Sequence, residues 1–256
     1  MTLLQAFILG IVEGITEFLP ISSTGHLILA SEWMGLERTE FLKTFEIAIQ
    51  SGAIFAVLVL YGKSLLNRLQ TLRLVIIAFI PTAILGLLLH KLIKKYLFSG
   101  SEVVLCSLFI GGILLILFEL WYIKREKQVL ETGEITSKQA FLVGVFQSLA
   151  MIPGVSRSAA TIVGGLLLGM SRKAIVEFSF LLAIPTLLAA TGLDLLKNAS
   201  TITSDHILPL TVGLLTSFVV ALLGIKFLIR YIQQHTFIWF GVYRIAVAVF
   251  FWMVIR

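Results

Sequence analysis

Two short stretches gather the side chains that could handle a phosphorylated ligand. The first runs Glu13-Gly-Ile-Thr-Glu17-Phe-Leu-Pro20-Ile-Ser22-Ser23-Thr24-Gly25-His26, and the second Pro153-Gly154-Val155-Ser156-Arg157-Ser158-Ala159-Ala160-Thr161. In each, a proline is followed by a hydroxyl-rich turn and a new apolar run. That layout aims backbone N–H groups and a helix N-terminus at one point, which suits phosphate.

Glu13 and Glu17 are four residues apart, so on a helix they share a face. Two ionised carboxylates that close, in a poorly solvated place, repel; either one keeps a proton or a cation sits between them. Hard oxygen ligands favour Mg²⁺ or Ca²⁺, and Mg²⁺ commonly joins carboxylates to substrate phosphates. The plainer alternative leaves one glutamate at the interface and the other in a structural pair. Ser22, Ser23 and Thr24 fit helix-capping positions. Gly25 adds room for close backbone approach, and His26, three residues past Ser23, could bring a base to that hydroxyl within one turn. Arg157, between Ser156 and Ser158, offers a guanidinium fork that matches phosphate oxygens. Thr161 falls one turn further on. An arginine snorkelling to the interface is the simpler reading of Arg157 alone.

These groups sit in a chain that otherwise prefers lipid. It has 256 residues, 58% hydrophobic and 13% charged, with mean hydropathy +1.02. A soluble domain carries about 25% charged residues. The composition therefore reads as a single multi-span membrane domain over 1–256. Polar groups at membrane depth are costly, which makes the two stretches functional by default. The net charge of +6 does not point to nucleic acid, because the basic residues lie mainly in short connections such as Lys91–Lys95 and Lys124–Lys127. One cysteine, Cys106, within an apolar run, excludes disulfides and cysteine-based metal sites. Met1–Gly10 lacks a basic segment and a cleavage site, so it reads as mature protein.

Six apolar runs read as full spans: roughly 43–61, 72–90, 103–123, 175–196, 207–230 and 237–255. Residues 1–19 and 139–152 differ, since each ends at a proline before a polar turn. Proline removes a donor and turns its predecessor away from helix. Both segments are expected to be re-entrant helix–turn–helix units whose irregular backbone is buried in protein. They resemble each other: Gly10-Ile-Val-Glu13 matches Gly144-Val-Phe-Gln147, and Pro20 with Ser23 matches Pro153 with Ser156. Each precedes three spans, giving halves near 1–123 and 139–256 that enter from opposite sides, an inverted-topology repeat with a midplane site. The larger basic set, including Lys63, Arg68, Arg73, Lys124, Lys127 and Lys226, faces the cytoplasm in this topology, with both termini outside. Among other intramembrane groups, Glu46 and Gln50 are candidates to line the cavity. Arg244 is expected to pair with Glu119 or Asp194.

At these residues the chain resembles the undecaprenyl-diphosphate phosphatase family, the bacterial bacitracin-resistance type of integral membrane phosphatase. The resemblance rests on Glu13 through His26, on Pro153-Gly-Val-Ser-Arg-Ser158 and on Glu177-Phe-Ser-Phe-Leu-Leu-Ala-Ile-Pro185, and it covers essentially the whole length. It implies hydrolysis of undecaprenyl diphosphate to the monophosphate carrier of cell-wall synthesis, dependence on a divalent cation, and interlocked inverted repeats in the bacterial inner membrane. It also implies roles for Glu13 and Glu17 (acid/base or metal), Ser23 (nucleophile), His26 (alternative nucleophile or proton donor) and Arg157 (phosphate binding). The one departure is Ala159, where glycine is the family expectation. The expected partners are a polyprenyl diphosphate lipid and the bilayer, with a homodimer compatible and nucleic acid excluded. The competing class is a polyprenyl-phosphate flippase or anion transporter using the same midplane site, but transport alone does not require the acid–serine–histidine cluster. A purely structural membrane protein would not need this buried polar chemistry.

Overall fold

The computed structural model describes residues 1–96, 101–126, 135–198 and 202–255. Among them every regular element is a helix. In chain order these are α1 (Leu3–Thr16), α2 (Ser23–Trp33), α3 (Glu40–Ala48), α4 (Gln50–Asn67), α5 (Leu69–Tyr96), α6 (Ser101–Glu126), α7 (Ser137–Gln147), a 3₁₀ turn (Ser148–Met151), α8 (Arg157–Leu167), α9 (Arg172–Asn198), α10 (Ser204–Tyr231) and α11 (Ile238–Ile255).

Among the described residues, five stretches are long and apolar enough to cross a membrane: Glu40–Lys63, Leu69–Leu89, Ser101–Lys124, Arg172–Asn198 and Ser204–Tyr231. They match five of the six expected runs. The sixth forms α11, whose apolar stretch Ile238–Val254 is shorter than the others. The first span is not one continuous helix. It breaks at Ile49 between α3 and α4, and the turn is closed by Gly52 N–H donating to the Ile49 carbonyl at 3.0 Å.

The proline-terminated segments break as their sequences require. α1 has 14 residues and α2, α7 and α8 have 11 each, too short to span about 30 Å of hydrocarbon at 1.5 Å per residue. The start of α1 is fixed by a capping box, in which Thr2 and Gln5 satisfy each other's backbone N–H groups. Thr136 and Gln139 do the same for α7. Ser22 caps α2 and Ser156 caps α8. The helix starts thus align Ser22 with Ser156, one residue away from the alignment that the prolines suggest.

Small residues let these short helices approach the long ones. α1 lies along α10 and α7 lies along α5, while α6 packs on α11 and α4 on α9 and α10. A Cβ on Gly10 would sit 2.7 Å from the Gly213 carbonyl oxygen, and one on Gly14 the same distance from that of Ser217. A Cβ on Gly144 would collide with the Ala78 carbonyl oxygen. Close backbone approach through small residues is how helices associate where lipid removes the hydrophobic drive. Large apolar side chains such as Val59, Leu87, Leu88 and Leu223 remain on the outside of the bundle, as a lipid-facing belt demands. Phe18, from the first broken segment, is fully buried and meets Phe180 edge-on at 5.2 Å. Lys127, one of the basic residues used for orientation, lies outside the described residues.

Candidate active site

The two broken segments bring their turns together. Gly25 and Gly154 face each other, a Cβ on Gly25 standing 3.6 Å from the Gly154 Cα. Gly154 has φ +86°, and a Cβ there would meet the Val104 carbonyl oxygen at 2.7 Å, so both conformation and space require glycine. Ser22 also lies in the left-handed region, at φ +74°. Such a conformation in a residue with a side chain costs roughly 1–3 kcal/mol and persists only where its surroundings hold it. Here the Ser22 carbonyl accepts from His26 Nδ1 at 2.8 Å, while the Ser22 hydroxyl accepts from Gly25 N–H at 3.4 Å.

Across this junction runs a continuous hydrogen-bonded array. The Ser23 hydroxyl donates to Glu17 Oε2 at 2.5 Å. Arg157 Nη2 donates to the other oxygen of Glu17 at 2.8 Å. Arg157 Nη1 donates to the Ser179 carbonyl at 2.8 Å, and its face lies over the Phe18 ring at 5.8 Å. Arg157 Nε is buried and has no hydrogen-bond partner. The array is mostly buried: Glu17 is 6% exposed and Ser23 7%. Charge-assisted bonds of this kind are short and strong in a poorly solvated place.

A cavity of about 160 Å³ opens on this array. Glu17, Ser22, Ser23, Thr24, Ser156 and Arg157 form part of its wall, Gln50, Thr82, Gln147 and Thr186 another, and Ala150, Met151, Val155 and Leu187 add apolar surface. The Gln147 amide donates to Thr82 Oγ1 at 2.9 Å and to Thr186 Oγ1 at 3.1 Å. Each threonine hydroxyl in turn donates to a carbonyl, Thr82 to Gly144 and Thr186 to Leu182. The amide nitrogen is thereby committed, and Gln147 Oε1 is left without a partner.

Not every expected site residue reaches this cavity. The His26 imidazole does not approach the Ser23 hydroxyl. Its second nitrogen, Nε2, lies 3.0 Å from the Tyr243 hydroxyl, and the two rings stack with centroids 5.5 Å apart. The ring is thus engaged at both nitrogens, by the backbone of Ser22 and by α11. Ser158 donates to the Leu19 carbonyl at 2.8 Å and receives Ser156 at 3.0 Å, tying the second turn to the first. Thr161 sits against Ser179 at 2.6 Å, behind Arg157. Gly25 supplies clearance, while Thr24, which does line the cavity, is exposed. Ala159, the departure from the family pattern, lies in the first turn of α8, where its N–H donates to Ser156 Oγ at 3.1 Å. No unusual φ is needed there, so alanine fits.

One expected pairing is corrected. Arg244 meets neither Glu119 nor Asp194; its guanidinium is bound by backbone carbonyls, including those of Ser107 at 3.0 Å and Gly154 at 3.1 Å. Glu119 instead pairs with Arg172 at 2.6 Å, and Asp194 accepts from Asn198 at 2.9 Å. Of the two candidates for the cavity wall, Gln50 lines it. Glu46 is occupied by Arg38 at 2.9 Å and by the Ser31 hydroxyl at 2.7 Å. The residues that sequence reasoning missed are Thr82, Thr186, Ser179 and Tyr243. The signals available were the Pro81-Thr82 and Pro185-Thr186 pairs inside apolar runs, together with the Gln147 that matches Glu13.

Glu13 is the carboxylate that could hold a cation. It is fully buried, both its carboxyl oxygens lack a hydrogen-bond donor, and it lies within electrostatic reach of Glu17 and Arg157. Among the described residues no group of three or more His, Cys, Asp or Glu side chains gathers around one point. A cation held here would rest on the two glutamates and on substrate oxygens, the way Mg²⁺ is usually carried to phosphates. The orphaned carboxylate and the hard donor set fit such an ion.

Short broken helices that meet inside a bundle of long apolar ones, with a carboxylate–serine–arginine array between them, define an integral membrane protein with an anion-handling interior. Comparison with known sequences gives the particular family. Residues 6–250 match the family described as "Bacitracin resistance protein BacA", and the chain belongs to it. It is 51% identical over 251 residues to the undecaprenyl-diphosphatase of Persephonella marina, covering 98% of each chain. The undecaprenyl-diphosphatase of Sulfurihydrogenibium sp. is 51% identical over 253 residues, 99% of each chain. That of Aquifex aeolicus is 49% identical over 247 residues, 96% of each.

Proposed function

We infer that this chain is an undecaprenyl-diphosphate phosphatase, a multi-pass enzyme of the bacterial inner membrane. It removes the terminal phosphate of undecaprenyl diphosphate and returns the monophosphate carrier to cell-wall synthesis, the activity that underlies bacitracin resistance. The observation that carries this reading is the Ser23–Glu17–Arg157 array, which pairs a hydroxyl with an acceptor and sets a guanidinium beside both.

The chemistry follows from those positions. Arg157, which lines the cavity, binds the terminal phosphate and neutralises charge as it develops. The Ser23 oxygen attacks the terminal phosphorus as its proton passes to Glu17 Oε2, and the bond to the bridging oxygen breaks, releasing the lipid monophosphate. Glu17 gives that proton to the departing lipid monophosphate and is a carboxylate again. Water then attacks the phosphoserine as Glu17 takes its proton, the bond from phosphorus to Ser23 Oγ breaks, Glu17 returns the proton to Oγ, and phosphate leaves. His26 acts on this chemistry by holding the Ser22 carbonyl, and so the turn that aims Ser23. Glu13 and Glu17 would hold Mg²⁺ or Ca²⁺, which when bound supplies further neutralisation of the diphosphate. The apolar flank of Ala150, Met151, Val155 and Leu187 suits the first isoprene units, whose tail continues laterally into lipid.

The same reading makes α1–α2 and α7–α8 re-entrant pairs within two inverted repeats. It is supported by the twin capping boxes and by the reciprocal packing of α1 on α10 and α7 on α5. Both termini then face outward, and the site lies near the midplane.

The test is phosphate release from undecaprenyl diphosphate by the purified protein in detergent, with Mg²⁺ or Ca²⁺ and then EDTA, beside Ser23→Ala. Metal-dependent release that collapses in the variant is the expected result. No release from well-folded wild-type protein would move the assignment to lipid or anion transport through the same site.

A further inference from the structure

Arg244, on α11, takes no part in the chemistry above, yet it is among the most completely buried large side chains in the molecule, 2% exposed. Its guanidinium reaches four carbonyl oxygens. Nη1 donates to Pro20 at 3.4 Å, Nη2 to Gly154 at 3.1 Å and to Ser107 at 3.0 Å, and Nε to Leu108 at 3.4 Å. Pro20 begins the turn that carries Ser22 and Ser23. Gly154 begins the turn that carries Ser156 and Arg157. Ser107 and Leu108 belong to α6, which anchors the fork to a long helix.

The space for this fork is built into the sequence. A Cβ on Gly111 would collide with Arg244 Nη2, and one on Gly112 would stand 3.2 Å from Arg244 Cβ. Two adjacent glycines in α6 therefore admit the side chain. Among the described residues no carboxylate pairs with it. A buried charge is tolerable only when its donors are satisfied, and here backbone carbonyls satisfy them. A lysine, with one compact ammonium on a flexible stem, could not span the same set of acceptors.

We propose that Arg244 is a positioning residue that joins the two halves of the site. It holds the Pro20 and Gly154 carbonyls on one planar fork and thereby sets the separation at which Ser23 and Glu17 meet Arg157. For its catalytic readout this rests on the phosphatase reading.

The experiment uses Gly111→Ala, which leaves Arg244 in place but takes the space of Nη2, with Gly62→Ala as a control, where a new Cβ meets nothing within 4 Å. Rates are taken per mole of folded, monodisperse protein. Gly111→Ala is expected to lower kcat by about tenfold or more with KM changed less than about twofold, since small misplacements of reacting groups are that costly. Arg244→Lys should lose at least as much. In an Arg157→Lys background, where the second half-site is already displaced, the cost of Gly111→Ala should shrink below about threefold, because groups acting through one another are not additive. A cost of threefold or more in both backgrounds, or wild-type kcat in Gly111→Ala, overturns the proposal. The same cycle is run on the affinity for inorganic diphosphate. Wild-type protein that hydrolyses nothing would then sink the phosphatase reading, while the binding cycle still decides on Arg244.

Discussion

The Ser23 hydroxyl donates to Glu17 Oε2 at 2.5 Å, across a turn of six residues, and not to the histidine three residues further on. Glu17 is therefore the acceptor that the geometry offers this hydroxyl, the nucleophile of the proposed mechanism, and its other oxygen accepts from Arg157. Glu17→Gln keeps the shape, removes the base and weakens the ion pair. General-base loss alone costs about 10²–10⁴-fold in rate, so kcat for phosphate release should fall by at least about 10²-fold. Turnover within threefold of wild type would remove Glu17 from that role.

His26 gives the contrasting case. With Nδ1–H donated to the Ser22 carbonyl, Nε2 is left to accept from Tyr243 O–H. The ring thus supports the strained Ser22 rather than serving Ser23 directly. Tyr243→Phe, which frees Nε2 but keeps Nδ1 on Ser22, should retain most activity. His26→Ala, which releases the Ser22 carbonyl, should lose about ten- to hundredfold in kcat, as a misaimed nucleophile does, and less than Ser23→Ala. Equal losses in His26→Ala and Ser23→Ala would instead make the imidazole a participant in the chemistry.

What the sequence could disclose follows from the range of each interaction. The long spans were legible because hydropathy over some twenty residues decides membrane insertion, a local property. The broken segments were legible because proline acts on its immediate neighbours. The break at Ile49 carries no such mark; just past it, α4 lies so close to α10 that a Cβ on Gly52 would collide with the Leu214 carbonyl oxygen. Glu17, Ser23 and Arg157 stood out as polar groups in a lipid-soluble chain. That Ser23 turns to Glu17 depends on the dihedral angles of Ser22, which residue identity does not reveal. Arg244 invited an acidic partner, since carbonyl acceptors are present at every residue and leave no trace in composition.

Glu13 makes a prediction about cation dependence. Its carboxylate is fully buried and undonated, whereas both oxygens of Glu17 are already engaged by Ser23 and Arg157. A divalent ion should therefore depend on Glu13 more than on Glu17 for its affinity. Glu13→Gln is expected to raise the Mg²⁺ or Ca²⁺ concentration for half-maximal activity by more than about tenfold, the lower range for disturbing a metal's surroundings. High cation should recover part of the rate. A titration superimposable on wild type would leave Glu13 as a structural acid.

Gln147 tests whether the far wall of the cavity takes part in binding. In the alignment of the helix starts it occupies the place of Glu13, but its amide is clamped by two threonines whose own protons are spent on carbonyls. The amide oxygen is thus fixed as a lone acceptor. A fully ionised phosphate has no proton to donate to it, so in the proposed complex a water would meet this oxygen. Gln147→Glu cannot donate to the threonines and adds a charge to the wall; it should raise KM about tenfold or more, a single unfavourable polar contact being worth about 1–3 kcal/mol. Gln147→Met, similar in size and uncharged, also lacks the amide but places no anion beside the diphosphate, and should raise KM less. If the two variants bind substrate as tightly as wild type, the Gln147 wall lies outside the bound complex and the ligand rests on the Ser23 and Arg157 side alone.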